Sequence, residues 1–171
     1  RDRLYRDYYY KSGTNESMVA ALRDIVEDAY QRVELTSSDC VMDIGANDGT
    51  LLGMYDQYLY KIGFEPCANM ADLADRKIIH GVIFRDYFPP STNLVSWPKA
   101  KIITSIAMFY DLDDPNAFVA GIKDWLHQDG IWVVQMPSLD QMLVMNAFDN
   151  ICHEHLTYWS IHSLLQLANR H

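Results

Sequence analysis

The sequence predicts a doubly wound α/β fold, in which a parallel sheet is covered by helices on both faces. Short apolar segments alternate with helical segments along the chain, which is typical of parallel strands joined by crossover helices. One predicted strand, residues 100–112, is continuous and β-branched at its start, as expected of a strand buried on both faces. A length of 171 residues with 49% apolar residues suits a single domain over 1–171.

The individual elements follow from apolar periodicity and from helix start and stop signals. Apolar residues recur at helical spacing in residues 14–33, where Thr14 or Asn15 can cap the helix. Further helices are expected from Gly49, over 69–77, over 114–130 with Asp114 as N-cap, and over 160–170 with Ser160 as N-cap. The apolar face of the last helix is expected to pack on this domain or on a further C-terminal part, and it consists of Ile161, Leu164, Leu165 and Ala168. Strands are expected over Cys40–Ile44, 60–66, 81–88, 100–112 and 130–137.

Charge and cysteine content exclude several classes of function. The formal net charge of −9 would repel phosphate backbones, so nucleic-acid binding is not expected. No apolar run reaches the roughly 18 residues that a membrane span requires. The three cysteines are widely spaced and form no C-x-x-C motif, which fits a reducing compartment. We therefore expect a cytoplasmic protein whose partner is a small molecule.

Acidic residues occur where the first three predicted strands end. Asp43 and the sequence GANDG close the first strand, Glu65 closes the second, and Asp86 lies at the end of the third. Parallel strands bring their carboxyl ends to one edge of the sheet, so these residues are expected to share one ligand site. An acid about twenty residues past a glycine loop is placed to accept both hydroxyls of a ribose.

Two classes of cofactor use this arrangement. A dinucleotide would require G-x-G-x-x-G, but counted from Gly45 the later glycine positions hold Asn47 and Thr50. Asp48 would face a pyrophosphate unfavourably, whereas an acidic loop suits a sulfonium cofactor that carries an amino group. The alternative for any single glycine loop is a plain structural turn.

The segment VMDIGANDGTLL resembles the first motif of methyltransferases that depend on S-adenosylmethionine (SAM). GFEP is similar to their second motif, and FRDYF is similar to their adenine-side loop. The resemblance implies a Rossmann-like three-layer sandwich, SAM as cofactor and S-adenosylhomocysteine (SAH) as its product. The cofactor-binding residues that it implies are Gly45, Asn47, Asp48, Glu65, Pro66, Asp86 and Tyr87, with Glu65 at the ribose and Asp86 and Tyr87 beside the adenine. Asp43 is expected to organise the loop by accepting backbone hydrogen bonds.

A second chemical motif, NICHEHLTYWS, lies beyond the fifth predicted strand. Cys152, His153 and His155 are suitable metal ligands, but H-E-H spacing would separate the two histidines by about 200° on a helix. A packing role between apolar segments is a second possibility. Acid–base catalysis is the third and is favoured, since histidine titrates near neutral pH and the adjacent Glu154 could orient it.

FDNICHEHLTYWS resembles a segment of sugar C-methyltransferases, and YYYKSGTNESM is similar to the tyrosine-bearing segment before their first helix. These enzymes act on nucleotide-linked 4-keto-deoxysugars. The resemblance implies that His155 removes the proton next to the ketone and that Glu154 assists it, with His153 a further candidate. Tyr8 or Tyr10 would stabilise an enolate oxygen. It also implies that this chain is the central part of a three-part protein with an N-terminal zinc-binding domain and a C-terminal Rossmann-like domain.

Two positions on the acceptor side depart from that family. Cys152 stands where a tyrosine is frequent, and Asp111 aligns where a histidine is frequent near the end of the fourth strand. A related methyltransferase with another carbon or oxygen acceptor is therefore an alternative. A third possibility is a module that binds SAM but is inactive without further domains.

Overall fold

The computed structural model describes residues 9–90 and 97–171. Its centre is a parallel sheet with the strand order β3-β2-β1-β4-β5. The strands are β1 (Cys40–Ile44), β2 (Tyr60–Phe64), β3 (Gly81–Phe84), β4 (Ala100–Ile106) and β5 (Leu126–Gln135). The chain starts at the middle of the sheet, builds outward to β3, and then returns to add β4 and β5 on the other side. The predicted doubly wound fold is confirmed.

Helices cover both faces of this sheet. They are α1 (Glu16–Arg32), α2 (Ala68–Lys77), α3 (Pro115–Trp125), α4 (Leu139–Met145) and α5 (Ile161–Ala168). The Asn15 side chain caps α1 by accepting from the Ser17 N–H, and Asp114 caps α3 by accepting from the Ala117 N–H. Within the described ranges, none of the helices is long and apolar enough to cross a membrane.

The core has two halves, separated by the sheet. Along β1, Cys40, Met42 and Ile44 pack into one half while Val41 packs into the other, because side chains alternate along a strand. The half that contains Val41 includes buried residues of α1 and α2, and the opposite half includes those of α3 and α5. The result is the predicted three-layer sandwich.

Three local predictions were wrong. No α-helix starts at Gly49, because that residue has φ of +74° and the chain is extended again at Tyr55, so only a short 3-10 turn forms at Leu52–Met54. The predicted helix over 114–130 ends at Trp125, since the next residues pair with β4. In α5, Leu164 and Leu167 pack against the core whereas Ile161 and Leu165 are exposed, so the face that packs on this domain is rotated from the predicted one.

Candidate active site

A cleft of about 940 Å³ opens at the carboxyl ends of β1 to β4. This volume is near the upper end of the range of about 300–1,000 Å³ for small-molecule sites. The residues that line the cleft include Ile44 at the end of β1, Gly45 directly after it, Glu65 after β2, and Ala107 after β4. The strand ends therefore converge on one site, as parallel topology requires.

The loop after β1 presents bare backbone to this cleft. Gly45 has φ of +79°, and its N–H and that of Ala46 both donate to the Phe64 carbonyl, at 2.9 and 3.0 Å. A Cβ atom at position 45 would lie 3.4 Å from Cγ of Met108, and the left-handed backbone would also be strained with any side chain. Glycine therefore keeps the loop open to a ligand.

Glu65 is a buried carboxylate at the cleft wall, with 7% of its surface exposed. Oε2 accepts from the Asn47 N–H and Oε1 accepts from the Cys67 N–H, both at 2.8 Å. Burial raises the pKa of Glu65, and the two N–H groups oppose that rise. Each carboxylate oxygen can accept two hydrogen bonds, so both oxygens retain a free acceptor position for a ligand.

Asp48, also predicted to lie beside the cofactor, makes its contacts within and behind the glycine loop. It is buried, but it is not among the residues that line the cleft. Its carboxylate accepts from Lys77 Nζ at 2.8 Å and from the Thr50 hydroxyl at 2.7 Å. Burial disfavours the charge, yet these donors hold the pKa of Asp48 below its usual value. The carboxylate thus stabilises the loop through Lys77 and Thr50, outside the residues that line the cleft.

Asp43 lies at the floor of the cleft and is almost completely buried. Its carboxylate accepts a hydrogen bond from the Thr104 hydroxyl on the neighbouring strand β4. This side-chain partner differs from the backbone partners expected from the sequence. Burial raises the pKa of Asp43 to about 7, so the folded protein favours the protonated form over much of the acidic range.

The remaining residues predicted for the cofactor also line the cleft. Pro66 and Asp86 are half-buried, and Tyr87 is exposed. The Tyr87 N–H donates to Oδ1 of Asp86 at 2.8 Å, which fixes the turn after β3. Asn47, with φ of +48°, lies opposite them in the loop after β1.

His155 is held at the cleft by two kinds of contact. Its Nδ1 lies 2.9 Å from the Asn150 carbonyl oxygen, and its ring centroid lies 4.2 Å from that of Tyr110. A carbonyl only accepts hydrogen bonds, so Nδ1 carries the proton and the neutral ring has its lone pair on Nε2. This is the tautomer that a general base at Nε2 requires.

Three hydrogen bonds to one oxygen atom attach the segment that carries His155 to the turn after β4. The Tyr110 carbonyl accepts from the N–H groups of Leu156 and Thr157, at 3.0 and 3.1 Å, and from the Thr157 hydroxyl at 3.2 Å. The side chains of Tyr110 and Asp111 line the same cleft. This attachment brings a residue from the end of the chain to the site built by β1 to β3.

The other residues of the predicted catalytic set have different positions. Glu154 is exposed and lines the cleft, but the bond that orients His155 comes from the Asn150 carbonyl rather than from Glu154. His153 is exposed and not among the cleft-lining residues, because a turn at 153–154 separates its direction from that of His155. Tyr10 lines the cleft, and Tyr8 lies outside the described residues.

Residues 15–171 match the model of a family described as a methyltransferase domain. The chain belongs to this methyltransferase domain family. The match covers the sheet, every helix named above and the segment that carries His155. The parallel sheet with helices on both faces agrees with this membership.

A curated relative of the methyltransferase domain is the C-methyltransferase NovU of Streptomyces niveus. The two are 27% identical over 172 residues, which include 99% of this chain and 41% of NovU. The chain therefore spans less than half the length of that relative.

Solved structures share the fold at low sequence identity. YcgJ of Bacillus subtilis superposes with a TM-score of 0.68 at 18% identity, over 86% of this chain and 65% of YcgJ. The plantazolicin methyltransferase BpumL, in complex with SAH, gives 0.66 at 11% identity, over 91% of this chain and 63% of BpumL. DesVI of Streptomyces venezuelae gives 0.60 at 18% identity, over 75% of this chain and 55% of DesVI. These likenesses concern the fold alone.

SAM is the cofactor of the methyltransferase domain, and the cleft has the chemistry to hold it. SAM carries positive charge on its sulfonium and amino groups, and the cleft is lined by carboxylates. These are Asp43, Glu65, Asp86, Asp111, Asp113, Asp114 and Glu154. No Lys or Arg is among the described residues that line it. The bare loop at Gly45 and the free acceptor positions of Glu65 complete the fit.

Of the cleft-lining residues after β4, the sequence indicated Asp111 but not Met108 or Tyr110. Ala107 has φ of +52°, its N–H donates to the Gln135 carbonyl, and its own carbonyl accepts from the Tyr110 hydroxyl. Alanine rarely adopts this conformation, so the turn that brings Met108 and Tyr110 into the cleft has no sequence signal.

Within the described ranges, no group of three or more His, Cys, Asp or Glu side chains could hold a metal ion.

Proposed function

We propose that this methyltransferase domain transfers a methyl group to the carbon next to the ketone of a nucleotide-linked 4-keto-deoxysugar. The observation that carries the proposal is His155, whose Nδ1 is occupied by the Asn150 carbonyl and whose ring lines the cleft. A carbon acceptor needs a base, because carbon becomes nucleophilic only when a proton beside a carbonyl is removed. The similarity to NovU, a C-methyltransferase, supports a carbon rather than an oxygen acceptor.

On the cofactor side, we assign Glu65 to the two ribose hydroxyls. Its burial and its two backbone donors keep the carboxylate in one orientation, and each oxygen retains an acceptor position. Asp86 and Tyr87 would flank the adenine, with Pro66 beside them. The exposed backbone at Gly45 would lie along the methionine part. When bound, SAM supplies a methyl group that is electrophilic because it is attached to a positively charged sulfur.

On the acceptor side, Nε2 of His155 takes the proton from the carbon next to the ketone. The electron pair of the broken C–H bond then forms an enolate, whose negative charge resides largely on the ketone oxygen. The Tyr10 hydroxyl, from the cleft wall, would donate a hydrogen bond to that oxygen. The proton remains on Nε2 and leaves to water through the exposed rim beside Glu154.

Proton exchange in D₂O tests this reaction without depending on methyl transfer. The protein is incubated with SAH and a nucleotide-linked 4-keto-6-deoxyhexose, and deuterium at the carbon next to the ketone is measured by NMR. SAM then replaces SAH, and the position of the new methyl group is determined. We expect exchange and C-methylation, with both reduced by about 10²- to 10⁴-fold in His155→Asn, the usual contribution of a general base.

His153→Asn is the matched control, because it makes the same chemical change two residues away and outside the cleft lining. It should exchange and methylate like the wild type, and both variants should bind SAH normally. Equal rates in the two variants would remove His155 from the base role. A methyl group found on oxygen, or no exchange with any keto-sugar by a protein that binds SAH, would overturn the proposed acceptor.

A further inference from the structure

Residues 10–14, here called the strap, lie across the glycine loop after β1. Two main-chain groups of the strap bond to one side chain of that loop. The Ser12 N–H donates to Oδ1 of Asn47, and Nδ2 of Asn47 donates to the Tyr10 carbonyl, both at 3.0 Å. The amide of Asn47 thus pairs with the strap as the main chain of a neighbouring strand would. Tyr10 and Ser12 both line the cleft.

The backbone of Asn47 makes a separate contact with the opposite wall. Its N–H donates to Oε2 of Glu65 at 2.8 Å, and its φ is +48°. Asparagine is one of the few residues besides glycine that adopt this left-handed conformation readily. Position 47 therefore needs a residue that tolerates the conformation and also carries both a donor and an acceptor, and asparagine satisfies both requirements.

A second contact fixes the strap at Gly13. Its N–H donates to Oδ2 of Asp48 at 3.3 Å, and Asp48 is itself paired with Lys77 of α2 at 2.8 Å. A Cβ atom at position 13 would lie only 2.6 Å from the Thr50 hydroxyl oxygen and 2.9 Å from Oδ2 of Asp48. The strap is therefore seated closely on the loop, with no room for a side chain at this point.

We propose that Asn47 is a positioning residue that couples Glu65 to the strap, and so holds Tyr10 and Ser12 at the cleft wall. One residue connects the carboxylate on one side of the loop with the segment on the other. A ligand that fixes Glu65 therefore also fixes the strap, and by linkage a fixed strap favours that ligand. This role differs from direct contact between the Asn47 side chain and the cofactor, and it does not depend on the identity of the acceptor.

Amide hydrogen exchange of the protein, with and without SAH, tests the coupling. Asn47→Gly keeps the left-handed backbone and its N–H but removes both bonds to the strap. In the protein without ligand, we expect the Ser12 amide to exchange about 5- to 10-fold faster, as loss of a hydrogen bond worth about 1 kcal/mol implies. SAH should slow exchange at Ser12 in the wild type and have little effect there in the variant, and the variant should bind SAH more weakly.

Two further variants make the test specific. Asn146→Gly is the matched control, since Asn146 is also left-handed, with φ of +50°, but is exposed at the end of α4 and outside the cleft lining. It should leave exchange at Ser12 and SAH affinity unchanged. Asn47→Asp keeps the acceptor for the Ser12 N–H and loses the donor to the Tyr10 carbonyl, so its exchange rate should be intermediate.

Two outcomes would overturn the proposal. Wild-type exchange at Ser12 in Asn47→Gly, together with weaker SAH binding, would show that Asn47 contacts the ligand directly and does not hold the strap. Faster exchange at Ser12 in that variant, with SAH still slowing this exchange as much as in the wild type, would show that the ligand affects the strap through contacts other than Asn47.

Discussion

The replacement of Glu65 by glutamine changes one carboxylate oxygen at the cleft wall, which accepts hydrogen bonds, into an NH₂ group, which donates them. Both carboxylate oxygens accept a backbone N–H at 2.8 Å, one from Asn47 and one from Cys67. The amide nitrogen of glutamine is a donor, so in either orientation it must face one of these two donors. One buried N–H then lacks a partner, and one of the two acceptor positions proposed for the ribose is lost.

The magnitude follows from these two losses. A buried donor without a partner costs about 1–3 kcal/mol of the free energy of unfolding. For a protein of this size, that corresponds to a melting temperature lower by about 2–12 °C. Burial already disfavours the charged form of Glu65, so a neutral side chain recovers part of this loss. A hydrogen bond to a charged acceptor is worth about 1.5–3 kcal/mol, so SAH affinity should fall by about 10- to 100-fold.

Calorimetric titration with SAH and thermal unfolding measure the two effects of Glu65→Gln separately. Asp72→Asn is the matched control, because it also removes one carboxylate charge, but from an exposed ion pair with Arg85. An exposed pair contributes little, so this control should bind SAH as the wild type does and unfold at nearly the same temperature. Wild-type SAH affinity in Glu65→Gln would refute the assignment of Glu65 to the ribose.

Two further predictions concern buried groups. The pKa of Asp43 is raised from 3.8 to about 7, so its contribution to wild-type stability should be lost as the pH rises from about 4 to 7. Asp43→Asn has no carboxyl group at this position and should not show that loss. The variant's advantage in melting temperature should grow from pH 5 to pH 8, and a constant difference would contradict this. Gly49→Ala should lower the free energy of unfolding in urea by at least about 2 kcal/mol, because its Cβ would lie 2.8 Å from Cα of Ala74 at φ of +74°. Gly53→Ala, with nothing within 4 Å, is its control, and equal effects would contradict the reasoning.

Periodicity predicted the sheet and most helices correctly because these elements depend on which residues are apolar. Strands such as Ala100–Ile106 are buried on both faces, and α1 presents Leu22, Val26 and Ala29 at helical spacing. The failed helix at Gly49 shows the limit of this signal. A left-handed backbone at that residue depends on close packing against α2, which no local pattern in the sequence reports.

The candidate site was predictable as a set of strand ends, but not atom by atom. Asp48 and Glu65 are both acids next to predicted strand ends, yet one lies behind the loop and the other at the cleft. Three of the five residues from Gly45 to Gly49 have a left-handed backbone, and these turns decide to which side of the loop Asp48 points. Likewise, a turn distinguishes His155 from His153, and spacing alone could not do so.

The attachment of the His155 segment to Tyr110 has a consequence for how the acceptor side can change. The acceptor of these hydrogen bonds is the main-chain carbonyl oxygen of Tyr110, and two of the three groups that donate to it are main-chain N–H groups. Side chains in this segment can therefore be exchanged, in evolution or in the laboratory, without detaching it from the sheet. A substitution that removes an N–H, such as proline at Leu156 or Thr157, would break the attachment directly. With His155 in its proposed role, substitutions in this segment should change acceptor preference and leave the cofactor half of the cleft intact.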